Sequence, residues 1–172
     1  MTDVHEELVA LLPRLRRFAH GLANNRDDAD DLVQEACERA LGRLDQWQAG
    51  TRLDSWMYRI VQNLWFDRLR SRKVRGEQVD EEVLGLQADE NAHRLPEVRN
   101  TFARVAAMFE RLKPEHREVM VLVCVESLSY QEAAEVLGIP VGTVMSRLSR
   151  ARLQLQEDMK ESPVTGRRNR HE

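Results

Sequence analysis

With 172 residues, 42% of them hydrophobic, and with five prolines and eight glycines, the chain has the make-up of a soluble helical protein of one mid-sized domain or, better, two small ones. Its formal net charge of -3 is segregated along the chain, so the sum does not exclude a nucleic-acid partner. Cys37 and Cys124 lie far apart within apolar helical patterns, which excludes a disulfide framework or a zinc-ligand spacing and predicts two buried thiols; no apolar run reaches membrane-spanning length, and no basic start leads into an apolar core, which points to the cytoplasm.

From Glu6 to Leu22, the residues Leu8, Leu11, Leu12, Leu15, Phe18, Ala19 and Leu22 keep helical spacing, with Pro13 expected to interrupt or restart the helix. Asn24 to Asp28 supplies turn and cap residues. Ala29, Leu32, Val33, Ala36, Cys37, Ala40, Leu41 and Leu44 then form a stripe that predicts the longest helix of its domain. Gln48-Ala49-Gly50-Thr51 breaks the pattern, and Trp56, Ile60 and Leu64 resume it on a helix that ends strongly basic, at Arg68, Arg70, Arg72, Lys73 and Arg75. Trp56 reads as core on that face, whereas Trp47, Tyr58 and Trp65 stay open between packing and nucleic-acid contact. Between Val74 and Leu95 the periodicity weakens and an acidic run, Glu77, Asp80, Glu81, Glu82, Asp89 and Glu90, describes a linker. Pro96 marks a new start: Val98 to Leu112 traces one helix, ended by Lys113-Pro114, and Val119, Leu122 and Val123 another. The last residues, SPVTGRRNRHE, read as a polar tail.

The most informative stretch is Ser129 to Arg152, SYQEAAEVLGIPVGTVMSRLSRAR. Ala133 and Ala134 let one helix approach another, Gly138 takes the positive φ that a sharp interhelical turn demands, and Pro140 opens the next helix without losing a needed donor. Val144 and Leu148 form an inward seam. Thr143, Ser146, Arg147, Ser149, Arg150 and Arg152 fill the other faces with donors and cations, the residue types that read base edges and neutralise phosphates in a major groove.

Two separated motifs carry a resemblance over nearly the whole chain: DADDLVQEACERAL with DSWMYRIVQNLWFDRLR in the first half, and LKPEHREVMVLVCVESLSYQEAAEVLGIPVGTVMSRLSRAR in the second. In this order, around an acidic connector, they resemble the extracytoplasmic-function sigma factors, the compact promoter-specificity subunits of bacterial RNA polymerase. The resemblance implies an all-α fold of two small helical domains joined by an acidic flexible linker. Residues 1–73 would form a region 2-like domain, 74–95 the linker, 96–160 a region 4-like helix-turn-helix domain, and 161–172 the tail. It also implies roles. Asp31, Gln34 and Glu35, off the apolar stripe of their helix, would contact core RNA polymerase. Gln48 to Leu53 would capture a flipped-out base of melted promoter DNA, with Ser55, Arg59 and Asn63 beside that strand. Thr143 to Arg152 would enter the major groove of the upstream element, with Ser146, Ser149 and Arg150 reading bases and Arg147 and Arg152 holding phosphates; Met145 departs from the basic residue many relatives carry there. An anti-sigma factor is the implied inhibitory partner, and neither a cofactor, a metal nor a catalytic activity is expected.

The residues also admit two rival classes. The carboxylates Asp27, Asp28, Asp30 and Asp31 suggest a magnesium cluster for diphosphate chemistry, but no second acidic motif faces them, and carboxylates also suit a helix N-terminus. Glu90 and His93 give a single Glu-x-x-His, where a di-iron bundle needs two. The alternative binding modules are a stand-alone helix-turn-helix regulator, which leaves the first-half motif unexplained, and a sigma-like decoy, which should lack the cations Arg59, Arg147 and Arg150.

Overall fold

A computed structural model describes residues 3–23, 25–76 and 96–161. Every regular element among them is helical, in the order α1 (Val4–Ala23), α2 (Arg26–Leu41), α3 (Leu53–Val74), α4 (Pro96–Glu110), α5 (Pro114–Met120), α6 (Tyr130–Leu137) and α7 (Val141–Glu161). The expected linker beyond Gly76 and the tail beyond Glu161 lie outside the described residues.

The first three helices pack pairwise. From α1 come Leu8, Leu15, Phe18, Ala19 and Leu22, from α2 Ala29, Leu32, Val33, Ala36 and Ala40, all buried. Phe18 meets Tyr58 of α3 edge to face, with ring centroids 5.1 Å apart. Local chemistry sets the start of α2: the Asn25 side chain accepts a bond from the Asp28 N–H at 2.7 Å, a helix N-cap. Pro13 does not interrupt α1, contrary to expectation. The carbonyl that loses its donor there belongs to Val9, whose side chain is 63% exposed, so water reaches that flank of the helix. Nor is α2 the longest helix of its half; at 16 residues it is shorter than α1 and α3. Gly42 ends it, and Leu44 falls instead in a 3-10 turn, Leu44–Gln46.

The seam of α3 is also rotated from the predicted one. Leu53, Met57, Tyr58, Val61, Leu64 and Trp65 are the buried residues, while Trp56 and Ile60 are only half-buried. The cause is a second neighbour: α3 packs on α1 and α2, and also on α6 from the other half of the chain.

In the second half, Pro114 opens α5 at a position where its missing N–H costs nothing. Helix α5 runs into one wide π turn, Val121–Val125, closed by Glu126 N–H donating to the Val121 carbonyl at 2.9 Å. Ser127 follows at φ 57, a left-handed conformation unusual for a residue with a side chain. Ser129 and Glu132 then form a capping box at the start of α6. Gly138 at φ 64 turns the chain, and the Pro140 carbonyl accepts the first bonds of α7, so the expected Gly138-Ile139-Pro140 turn is realised. Ala133, Ala134, Val136, Leu137, Val144 and Leu148 are buried as the motif required. The two cysteines depart from expectation: Cys37 is half-buried and Cys124 is exposed, because the wide turn swings Cys124 to the surface beside Arg152.

The two helical domains pack against each other. Helix α1 packs against α5 and the wide turn, α3 packs against α6, and one continuous buried cluster runs from Leu8 to Leu148. Gly21 makes the closest approach possible: a Cβ there would lie 2.7 Å from the Val121 Cγ2.

Candidate nucleic-acid interface

Helix α2 presents its polar face outward. Asp31 and Gln34 are exposed, and the Gln34 amide donates to Glu38 at 3.1 Å. Glu35 is half-buried and held by two arginines, Arg39 at 3.3 Å on its own helix and Arg68 of α3 at 2.8 Å. Asp28 makes a parallel clasp with Arg72 at 3.0 Å. Burial alone would raise the Asp28 carboxyl, but bonds from Asn25 and Arg72 outweigh it and hold it below its usual range. Arg68 and Arg72, read from the sequence as part of a basic edge, therefore tie α3 to α2. The acidic cluster is accounted for in the same way: Asp28 faces Asn25 and Arg72, and Asp30 lies near Arg16 and Arg26. Among the described residues no group of three or more His, Cys, Asp or Glu is placed to hold a metal ion. Glu90 and His93 lie outside them.

Ser55, Arg59 and Asn63 form one stripe along α3 at four-residue spacing, Ser55 half-buried and the other two exposed. The loop before them, Gln48 to Thr51, is exposed and braced by the Thr51 hydroxyl, which donates to the Gln48 carbonyl at 2.7 Å. The aromatic residues left open by the sequence divide here. Tyr58 and Trp65 are core, at 0% and 6% exposure, and Trp47 is half-buried against the same core.

The N-terminal part of this stripe already has partners from the other half. Arg59 donates to the Glu135 carbonyl of α6 at 2.8 Å, and Arg52 pairs with both Asp54 and Glu132. Behind them lies a network the sequence did not reveal. The Glu126 side chain, 1% exposed, accepts from Arg14 at 2.8 Å, from Arg17 at 2.9 Å and from the Tyr58 hydroxyl at 2.9 Å. Arg14 also reaches Asp54 at 3.2 Å and lies over the Tyr58 ring. Burial would push the Glu126 carboxyl up, yet the bonds from Arg17, Arg14 and Tyr58 prevail and hold it low; the buried Tyr58 hydroxyl, facing that carboxylate, is driven up. The one sequence signal was a glutamate closing the apolar run VMVLVCVE, where a buried acid requires cationic partners.

On α7, Ser146, Ser149, Arg150 and Arg152 are exposed and Thr143 is half-buried, so all face outward from the Val144 and Leu148 seam. Ser146 donates to the Thr143 carbonyl at 3.1 Å. Arg147 differs from its neighbours: it meets the buried Glu118 of α5 at 3.2 Å. Burial pushes the Glu118 carboxyl up to about 7, against the pull of Arg147. Met145, at 52% exposure, stands in the middle of this face beside Ser149 and lines a shallow hollow with Tyr130 and Leu153.

Comparison with known proteins agrees with this two-part arrangement. Residues 8–75 match the family model described as Sigma-70 region 2, and residues 102–155 match Sigma-70, region 4. The ECF RNA polymerase sigma factor EcfG of Rhodopseudomonas palustris is 36% identical over 159 residues, 90% of this chain and 84% of that protein. Among solved structures, the sigma factor RpoE in complex with the anti-sigma factor NepR, from Bartonella quintana, is similar with a TM-score of 0.79 at 29% identity, over 95% of this chain and 100% of that one. CnrH in complex with the cytosolic domain of CnrY is similar with a TM-score of 0.67 at 26% identity, over 92% and 88% of the two chains.

Proposed function

Because the chain belongs to the extracytoplasmic-function family of RNA polymerase sigma factors, we propose that residues 1–73 bind core RNA polymerase and the melted downstream promoter element while residues 96–160 read the upstream element. Polymerase supplies all the catalysis. The observation that carries this reading is the pairing, on one chain, of a polar α3 stripe with an outward-facing serine and arginine surface on α7.

Asp31 and Gln34 offer exposed polar groups to polymerase; Glu35, already shared between Arg39 and Arg68, contributes chiefly by holding α2 in place. Ser55, Arg59 and Asn63 lie along the single strand, where cations and polar edges offset the cost of unstacking a base. Ser146, Ser149 and Arg150 read base edges. Thr143 and Arg152 meet phosphates, joined by Arg147 to the extent that Glu118 releases it. An anti-sigma factor is the regulator, as it is for the similar RpoE, solved bound to one. No helix among the described residues is long and apolar enough to cross a membrane, consistent with action beside polymerase in the cytoplasm.

The test is reconstituted transcription on a genomic fragment library with bacterial core polymerase, with and without this protein. Transcripts that begin at defined sites only in its presence are expected, and their upstream sequences yield both promoter elements. Failure to bind core polymerase or promoters, with anti-sigma protein excluded, would transfer the reading to a decoy or a stand-alone regulator.

A further inference from the structure

Helix α7 has 21 residues and so runs for about 31 Å, whereas a major groove is about 12 Å wide. Its N-terminal turns are therefore the part that meets base edges. The polar groups of those turns are fewer in effect than their spelling suggests. Arg147 is tied to Glu118 at 3.2 Å, and the Ser146 hydroxyl donates to the Thr143 carbonyl at 3.1 Å, which commits its one proton within the helix. Met145 stands in the same turn with 52% of its surface exposed, and its thioether offers no donor and only a weak acceptor. Nor is it an isolated apolar residue. Ser149 and Leu153 follow it at four-residue spacing, and with Leu148 and Tyr130 of α6 they line a hollow of about 260 Å³. Leu153 and Tyr130 are themselves exposed there, so the apolar surface at Met145 is continuous and not a scattered side chain.

We propose that Met145 is a specificity-determining residue for the upstream element: its side chain, with the hollow beside it, receives the 5-methyl group of a thymine in the major groove. The inference rests on the reading of α7 as the helix that meets the upstream element, and it deepens that reading by naming the base feature recognised. Among the groups that base pairs display in the major groove, the thymine methyl is the apolar one; the others are donors and acceptors. Set against a donor or an acceptor, Met145 excludes water and offers nothing in return, which disfavours the other bases at that position. Set against a methyl group, it gains by covering apolar surface. Its unbranched chain has three rotatable bonds and can follow a methyl at the groove floor, a reach that alanine lacks. The exposed Ser149 and Arg150 lie close by on α7, so one apolar and two polar groups face neighbouring bases.

The test uses holoenzyme, bacterial core polymerase with the full chain, on a promoter that the fragment library yields. Each thymine of the upstream element, on both strands, is replaced singly by deoxyuridine, which lacks only the 5-methyl group. Binding is measured by competition anisotropy for the unaltered chain, Met145→Ala, Met145→Gln, Met145→Leu and Arg150→Ala. One deoxyuridine position is expected to weaken the unaltered holoenzyme about three- to tenfold, the effect of one methyl left uncovered. Met145→Ala and Met145→Gln should bind the thymine promoter more weakly by a similar factor and no longer distinguish thymine from deoxyuridine at that position. Met145→Leu should keep most of the difference, and Arg150→Ala, which acts at another base, should keep it too. The inference is overturned by an upstream element without thymine, by the lack of any sensitive deoxyuridine position, or by a methyl dependence undiminished in Met145→Ala and Met145→Gln. In each of those cases sequence-specific binding that Arg150→Ala weakens leaves the sigma-factor reading standing. A library that yields no promoter, or an upstream preference unchanged by both Met145→Ala and Arg150→Ala, overturns the reading of α7 and the inference with it.

Discussion

Glu118 and Glu126 are both buried carboxylates, and their surroundings drive them in opposite directions. Glu118 has one cation, Arg147, against nearly complete burial and a neighbouring Glu115, so its carboxyl rises to about 7; Glu126 has two arginines and a phenol, so it falls below its usual range. For Glu118 the folded chain keeps a proton that the unfolded chain releases, so its contribution to stability declines as pH rises from its ordinary value of 4.5 to about 7. Thermal denaturation from about pH 5 to about pH 8 should therefore show the wild type losing on the order of 2 kcal/mol relative to Glu118→Gln. Glu126 has the opposite sign: its stabilisation is present above the ordinary carboxylate range and lost as pH falls through its depressed value. At the proposed DNA surface, Arg150 is exposed, and among the described residues it has no acidic anchor such as the one that restrains Arg147. Arg150→Ala should cost about 1–3 kcal/mol of upstream-element binding, concentrated at one base step. Equal loss on all sequences in a binding titration would mean that Arg150 holds a phosphate.

Among the elements, the α6–α7 unit was the most legible in the sequence because its constraints are local. A capping box, a left-handed glycine and a short apolar seam each act within a few residues. A Cβ at Gly138 would meet nothing within 4 Å, so Gly138→Ala should cost only the backbone strain, about 1 kcal/mol in a denaturant titration. Ser129→Ala, which removes the cap, should cost about 0.5–2 kcal/mol by the same measurement. Helix α3 was less legible. A single apolar stripe was expected, but a helix with neighbours on two sides buries a wider arc, and Met57, Tyr58 and Trp65 fall within it. Helix α1 erred the other way: Pro13 reads as a break in any local scheme, and packing on both sides of it carries the helix through.

For the whole molecule, the shared core of the two halves predicts cooperativity. Calorimetry of the free chain should show one unfolding transition, and Glu126→Gln should separate it into two or lower it, since the halves would no longer stabilise each other. Two transitions in the unaltered chain would show that the joint contributes little. The helical class, the helix-turn-helix and the outward α7 surface follow from periodicity, caps and turn residues, which act over a turn or two of chain and can be read by spacing alone. The Glu126 network joins residues 109 and 112 positions apart on the arginine side and 68 on the tyrosine side. No local pattern encodes which arginine meets which carboxylate at such separations. That pairing, the burial of Tyr58 and the bond from Arg59 to the α6 backbone were decided only when the two halves packed against each other, because a buried charge takes its partners from whatever the fold brings beside it.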